Sequence, residues 1–115
     1  MVPVSHLFDI NSQDQKGMTS LMKATMNNHV RIVSTLLEFG ANPRLSNLKG
    51  ETALHMACMN ENFAICQQLL VAMCDINAKD PQGRTPLMYA VRFNKKVDIV
   101  QLLIQKGACL ATVDN

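Results

Sequence analysis

The chain has 115 residues, 48% hydrophobic and 17% charged, which is enough apolar material for one collapsed domain and too little charge for a disordered chain. Eleven Lys and Arg against nine Asp and Glu leave a net charge of +2, too weak a field to predict nucleic acid as partner, and 4% aromatics with no Trp speaks against a base-stacking platform. No apolar run approaches the roughly 18 to 20 residues of a membrane span, and the opening Met1-Val2-Pro3-Val4-Ser5-His6 lacks a basic signal region, so neither membrane insertion nor secretion is expected and the predicted location is cytoplasmic or nuclear.

Residues 1–13 carry one readable feature. Asp9-Ile10-Asn11 matches Asp75-Ile76-Asn77 further along, so the segment reads as the tail of a preceding unit. From residue 14 the chain repeats itself: Gly17, Gly50 and Gly83 recur every 33 residues, and Thr19, Thr52 and Thr85, then Leu21, Leu54 and Leu87, then Ala24, Ala57 and Ala90 keep that register. In the first unit, 14–46, Gly17 closes a turn and the Thr19 hydroxyl starts a short helix carrying Leu21, Met22 and Ala24. A second helix is predicted from about Val30 to Phe39, with Ile32, Val33, Leu36 and Leu37 on one face and Gly40 as its stop. Residues 41–49, with Asn42, Pro43, Ser46 and Asn47, read as an extended finger leading into the next turn.

The second unit, 47–79, repeats this plan with Ile65 and Leu69-Leu70, but Met73 stands where Gly40 stood. A side chain at positive φ costs about 1 kcal/mol or more, so local adjustment is expected there and the middle unit is expected to be the least regular. In the third unit, 80–112, Ile99 follows Ile65 by one residue too many, which places an insertion within 92–97 and predicts a longer, protruding loop between the helices. Asp114-Asn115 stands where Asp80-Pro81 opens the third unit, so 113–115 reads as the start of a further unit. These ends set the expectation of either a piece of a longer array or a short chain with weak caps.

Chemistry-bearing residues are sparse. Cys58, Cys66, Cys74 and Cys109 contain no C-x-x-C pair, so buried free thiols in a reducing compartment are favoured over a disulfide or a zinc site. G-x-S-x-G, H-E-x-x-H, G-x-x-x-x-G-K and G-x-G-x-x-G are absent, and His6, His29 and His55 fall in three separate contexts. No catalytic residue, metal ligand or cofactor is predicted, and the chain is not read as an enzyme.

The repeat resembles the ankyrin repeat. The family's G-x-T-P-L-H-x-A is echoed by Gly17-Met18-Thr19-Ser20-Leu21-Met22-Lys23-Ala24, Gly50-Glu51-Thr52-Ala53-Leu54-His55-Met56-Ala57 and Gly83-Arg84-Thr85-Pro86-Leu87-Met88-Tyr89-Ala90. Its Pro is kept only at Pro86 and its His only at His55. The resemblance implies an all-α solenoid of helix-turn-helix units with extended β-hairpin-like fingers, and structural roles for His55 and for His29 in the turn between helices.

It also implies binding of another protein through the concave face. Carried over by position, finger contacts fall on Gln15, Lys16 and Met18, on Leu48, Lys49 and Glu51, and on Pro81, Gln82 and Arg84. Helix-end contacts fall on Met26 and Asn27, Met59 and Asn60, and Arg92 and Phe93. Met26 and Met59, with Met18, Leu48 and Phe93, would form an adaptable apolar strip edged by Lys16, Lys49, Arg84 and Arg92, while the competing reading makes these Met filler between repeats. The expected function is a non-catalytic module that holds a segment of a partner protein. The alternative is a structural spacer in a longer array, with additional ankyrin repeats around it and the binding site elsewhere. Asn77, preceded by Asp75-Ile76 and with Leu69 eight residues before it, resembles the ankyrin context used by asparaginyl hydroxylase.

Overall fold

The computed structural model describes residues 9–93 and 96–108. Six helices follow in chain order: α1 (Ser20–Met26), α2 (Val30–Glu38), α3 (Ala53–Met59), α4 (Phe63–Val71), α5 (Pro86–Phe93) and α6 (Asp98–Gln105). Each odd helix packs on the even helix that follows it. The odd helices stack side by side as an inner row, the even ones as an outer row, over an elongated body of 51 × 29 × 21 Å. Stacking of this kind ties each unit mainly to its neighbours.

The repeated threonines start the inner helices as predicted. Thr19 and Thr52 accept hydrogen bonds from the backbone N–H of Met22 (3.1 Å) and His55 (3.4 Å), and Thr85 accepts from Met88 N–H (3.3 Å). The side chain three residues on reaches back: Met22 Sδ accepts from Thr19 N–H at 3.4 Å and His55 Nδ1 from Thr52 N–H at 3.1 Å. Two otherwise orphaned donors are thereby satisfied at each of these two helix starts.

Between the rows lies an aliphatic core. Leu54, Ala57, Ile65, Cys66 and Leu69 of the middle unit are fully buried, joined by Leu21 and Val33 on one side and Ala90, Ile99 and Leu103 on the other. Short residues such as Ala24, Ala57 and Ala90 allow the close approach of paired helices, while each buried Leu or Ile contributes about 1.5–3 kcal/mol. Cys58 and Cys66 are buried thiols outside any disulfide, and Cys74 is half-buried. Burial and the neighbouring Asp75 charge push the Cys74 thiol up to about 12. Cys109 and His6 lie outside the described residues.

Two expectations are corrected. The described residues contain no β-strand, so the fingers are not β-hairpin-like; the nearest approach is a single isolated bridge between Ser46 and Thr52. The reason is local. Each finger is consumed by tight turns closed by an Asn or Asp side chain, as where Asn42 Oδ1 accepts from Arg44 N–H (2.9 Å) and Asn47 Oδ1 accepts from Lys49 and Glu51 N–H (both 3.0 Å). Side-chain oxygens that take up these donors leave no run of backbone groups for a ladder.

Nor does the chain adjust around Met73, which takes the left-handed conformation at φ 66°. Cys74 N–H reaches Leu69 O at 3.2 Å, repeating the helix ending of Ala41 to Leu36 (3.0 Å) and of Ala108 to Leu103 (2.9 Å). The middle unit is as regular as its neighbours at this point because the helix-end bonds outweigh the strain on one residue. At the insertion α5 runs one residue longer than α1 or α3, and Lys96 and Val97 are exposed, while 94 and 95 of the expected protruding loop lie outside the described residues.

Candidate functional site

Three turns, one per unit, are built on residues 33 apart. Asp14 Oδ1 accepts from Lys16 and Met18 N–H (both 2.9 Å), Asn47 Oδ1 accepts from Lys49 and Glu51 N–H, and Asp80 Oδ1 accepts from Gln82 (3.0 Å) and Arg84 (2.8 Å) N–H. The side chains at the second and fourth places after the anchor therefore leave from a pinned backbone. The turns also lie against one another: Leu48 N–H donates to Lys16 O at 3.0 Å, and the amide of Gln13 donates to Ser46 O at 2.9 Å. A Cβ on Gly17 would stand 2.7 Å from Leu48 N and one on Gly50 2.5 Å from Pro81 Cδ, so glycine is required there for close approach as well as for positive φ.

Two hollows open between these turns and the inner helices. The first, about 390 Å³, is lined by Lys16, Met18, Met26, Leu48, Lys49, Glu51 and the buried Met56. The second, about 200 Å³, is lined by Glu51, Met59, Arg84, Met88, Tyr89, Arg92 and Phe93. Glu51 belongs to both. Met18, Met26 and Leu48 thus line the first hollow, and Met59 and Phe93 line the second.

Exposure separates the methionines into two groups. Met22 and Met56 are filler at 1% exposure, whereas Met26 is 41% exposed, Met88 37% and Met59 half-buried. Asn27 is exposed at the end of α1 and lines neither hollow. Asn60 is occupied structurally: its amide donates to Met26 O at 2.9 Å and so ties the second inner helix to the first. Asn77 is exposed in a turn where its N–H donates to Asp75 Oδ1 at 3.1 Å.

A polar cluster between the second and third units escaped the reading of single repeats. The Tyr89 hydroxyl donates to Asp80 Oδ2 at 2.8 Å and lies 3.3 Å from Glu51 Oε2. Arg84 Nε donates to the same Asp80 oxygen at 2.9 Å, Arg84 Nη2 donates to Gln82 Oε1 at 3.0 Å, and the guanidinium sits 5.7 Å from the Tyr89 ring centre. Tyr89 is flanked by His55 at 4.6 Å, edge to face, and by Phe93 at 6.1 Å, and the Arg92 guanidinium lies 5.4 Å from the Phe93 ring centre. The available signals were the 33-residue spacing of Asp14, Asn47 and Asp80 and the placement of the sole Tyr beside the motif.

The electrostatics follow from this arrangement. Burial pushes the Asp80 carboxyl up, but the Arg84 N–H, the Tyr89 hydroxyl and the Arg84 guanidinium together hold it below the usual carboxylate range. Burial and the bond to Asp80 push Tyr89 up. Because His55 Nδ1 accepts from Thr52 N–H, its proton sits on Nε2, which donates to Arg84 O at 2.9 Å across the repeat boundary. Burial holds the His55 pKa below its ordinary 6.5, against the pull of the Arg84 carbonyl, Asp80 and Glu51.

Among the described residues no group of three or more His, Cys, Asp or Glu could hold a metal ion, and no helix is long and apolar enough to cross a membrane. The chain matches the family model described as "Ankyrin repeats (3 copies)" over residues 3–80 and 39–114. It is 36% identical over 107 residues to "Protein glp-1" of Caenorhabditis elegans, covering 89% of this chain and 8% of that protein. It is also 36% identical over 110 residues to "Putative ankyrin repeat protein FPV031" of Fowlpox virus (93% of this chain, 32% of the relative). A "Putative ankyrin repeat protein" of Rickettsia bellii matches at 36% over 108 residues (89% and 31%). The chain spans about a third or less of the length of these curated relatives.

Proposed function

The chain belongs to the ankyrin-repeat family, and from that premise we propose that this non-catalytic interaction module holds a segment of a partner protein along the concave face formed by its finger turns and inner helices. The observation that carries the reading is the pair of hollows sharing Glu51, lined by methionines of the inner helices and by Lys16, Met18, Lys49 and Arg84, whose backbone is pinned by the turn anchors. A surface of this kind spends little entropy on ordering itself, and thioethers adapt to irregular apolar partners. The contacts proposed are Lys16, Met18, Met26, Leu48, Lys49, Glu51, Met59, Arg84, Arg92 and Phe93, with Asn27 and Asn60 at the edge.

The test begins with peptides selected on the chain from a randomised library, measured by calorimetry against the parent and a Met26→Glu, Met59→Glu double variant. Loss of binding with an unchanged helical circular dichroism spectrum is expected. Binding that survives both charges refutes the concave face as the site. The relatives' greater length favours one second reading, a spacer in a longer array. A spacer gains stability when flanking repeats are added and makes no partner contact. We also propose exposed Asn77 as a hydroxylation acceptor, which a mass gain of one oxygen on its peptide after treatment with an asparaginyl hydroxylase would report.

A further inference from the structure

We propose that the hollow between the second and third units selects an acidic peptide segment, an extended stretch in which an Asp or Glu stands next to a large apolar side chain. The inference rests on the concave face being the binding surface and adds the chemistry of what it binds.

The first ground is how charge is distributed around the hollows. Of the carboxylates near the hollows, Asp14 is paired with Lys23 at 3.1 Å and Asp80 is buried beneath Arg84 and Tyr89, while Glu51, beside the Tyr89 hydroxyl and the Asn47 amide (3.4 Å), has no cation partner among the described residues. Among the described residues no salt bridge involves Lys16, Lys49 or Arg92, which line the two hollows. Three cations against the one unpaired carboxylate of Glu51 leave the lining of the two hollows with an excess of positive charge. An acidic segment complements that field, a basic one is repelled, and such charges govern partner choice and association rate more than total affinity.

The second ground is the shape and stiffness of the smaller hollow. Met59, Met88 and Phe93 form its apolar wall, of a size to take one large side chain. At its polar side both guanidiniums are held over rings, Arg84 over Tyr89 and Arg92 over Phe93, and Arg84 is further fixed by Asp80 and Gln82. A planar guanidinium held in this way gives up little freedom on meeting a carboxylate. One anchor in the apolar wall and one carboxylate at the arginines define the motif, with Lys49 meeting a further acid along the extended chain.

The experiment uses the unphosphorylated randomised library, displayed against the whole chain, with selected peptides measured at low and high salt. Enrichment of Asp or Glu beside Leu, Ile, Met or Phe is expected, together with salt-sensitive binding weakened about tenfold or more in a Lys49→Glu, Arg92→Glu variant. Rescue of that variant by peptides carrying Lys in place of the acids separates charge recognition from damage to the fold. Peptides without acidic enrichment, indifferent to the charge reversal yet lost in Met26→Glu, Met59→Glu, overturn this inference and leave the concave-face reading standing. Binding unaffected by either double variant, or no binder at all, overturns both.

Discussion

Gly40 and Met73 occupy the same place in successive units, two residues past the end of an outer helix, and both have positive φ, 92° and 66°. Replacing Met73 with Gly removes the Cβ strain of the left-handed conformation, about 1–2 kcal/mol, and gives back about 0.5–1 kcal/mol through the freer unfolded chain. Met73 is 73% exposed, so little burial is lost, and the Arg44 Nε bond to its carbonyl (3.1 Å) uses none of the Met73 side chain. The net expectation is stabilisation by about 0.5–1 kcal/mol, a rise in Tm of roughly 2–6 °C for a chain of this size. Gly40→Ala is the reciprocal experiment. A Cβ there meets nothing within 4 Å, so conformation alone is tested, and a loss of about 0.5–1 kcal/mol is expected. Urea unfolding followed by circular dichroism, with equal m-values, reads both. If Met73→Gly is neutral or destabilising while Gly40→Ala destabilises, Met73 contributes contacts that its exposure does not reveal and the strain argument fails.

Two further outcomes follow from the buried groups. Since burial holds the folded-state pKa of His55 below 6.5, its contribution is complete above that value and is lost as pH falls through the folded value, so Tm should drop on acidification from neutrality. His55→Met, the residue found at positions 22 and 88, should abolish that slope and cost about 1 kcal/mol at pH 7.5 by leaving the Arg84 carbonyl unpaired; a slope that persists in the variant sinks the assignment. The raised thiols of Cys58 and Cys74 and the burial of Cys58 and Cys66 predict that a maleimide leaves these three unmodified in the folded chain at pH 7 and labels them on unfolding. Peptide mapping that finds Cys66 modified under native conditions contradicts the packing of α4 against α3.

The helices were legible because each is specified by residues within one unit. Thr19, Thr52 and Thr85 mark the inner starts, Ile65 and Leu69 the buried face of an outer helix, and Gly40 the stop, and all of these lie where the pattern puts them. The fingers were misread because family resemblance suggests a hairpin, whereas Asn42 and Asn47 give their side-chain oxygens to backbone N–H groups that a ladder would need. Met73 was misjudged for a related reason. Propensity weighs one residue, but two backbone bonds at the helix end decide the geometry.

The candidate site was legible only in part because it is written across unit boundaries. Within one repeat, Met26, Met59 and the finger cations can be placed by register, but nothing in that register says that Glu51 of the second unit approaches Tyr89 of the third. Nor does register show that Met22 and His55 differ in reach. Both cap their own helix, but only the imidazole has a second nitrogen to donate, and it does so to Arg84 O of the following unit. Arg84 is in turn the residue whose side chain Asp80 and Gln82 fix beside the hollow. Contacts between the second and third units therefore also orient the Arg84 guanidinium, while the places of Glu51 and Tyr89 are taken by Met18 and Met56 in the hollow between the first and second units. The end at the second and third units is the stiffer and more polar one, an asymmetry that would give a segment bound as proposed its direction.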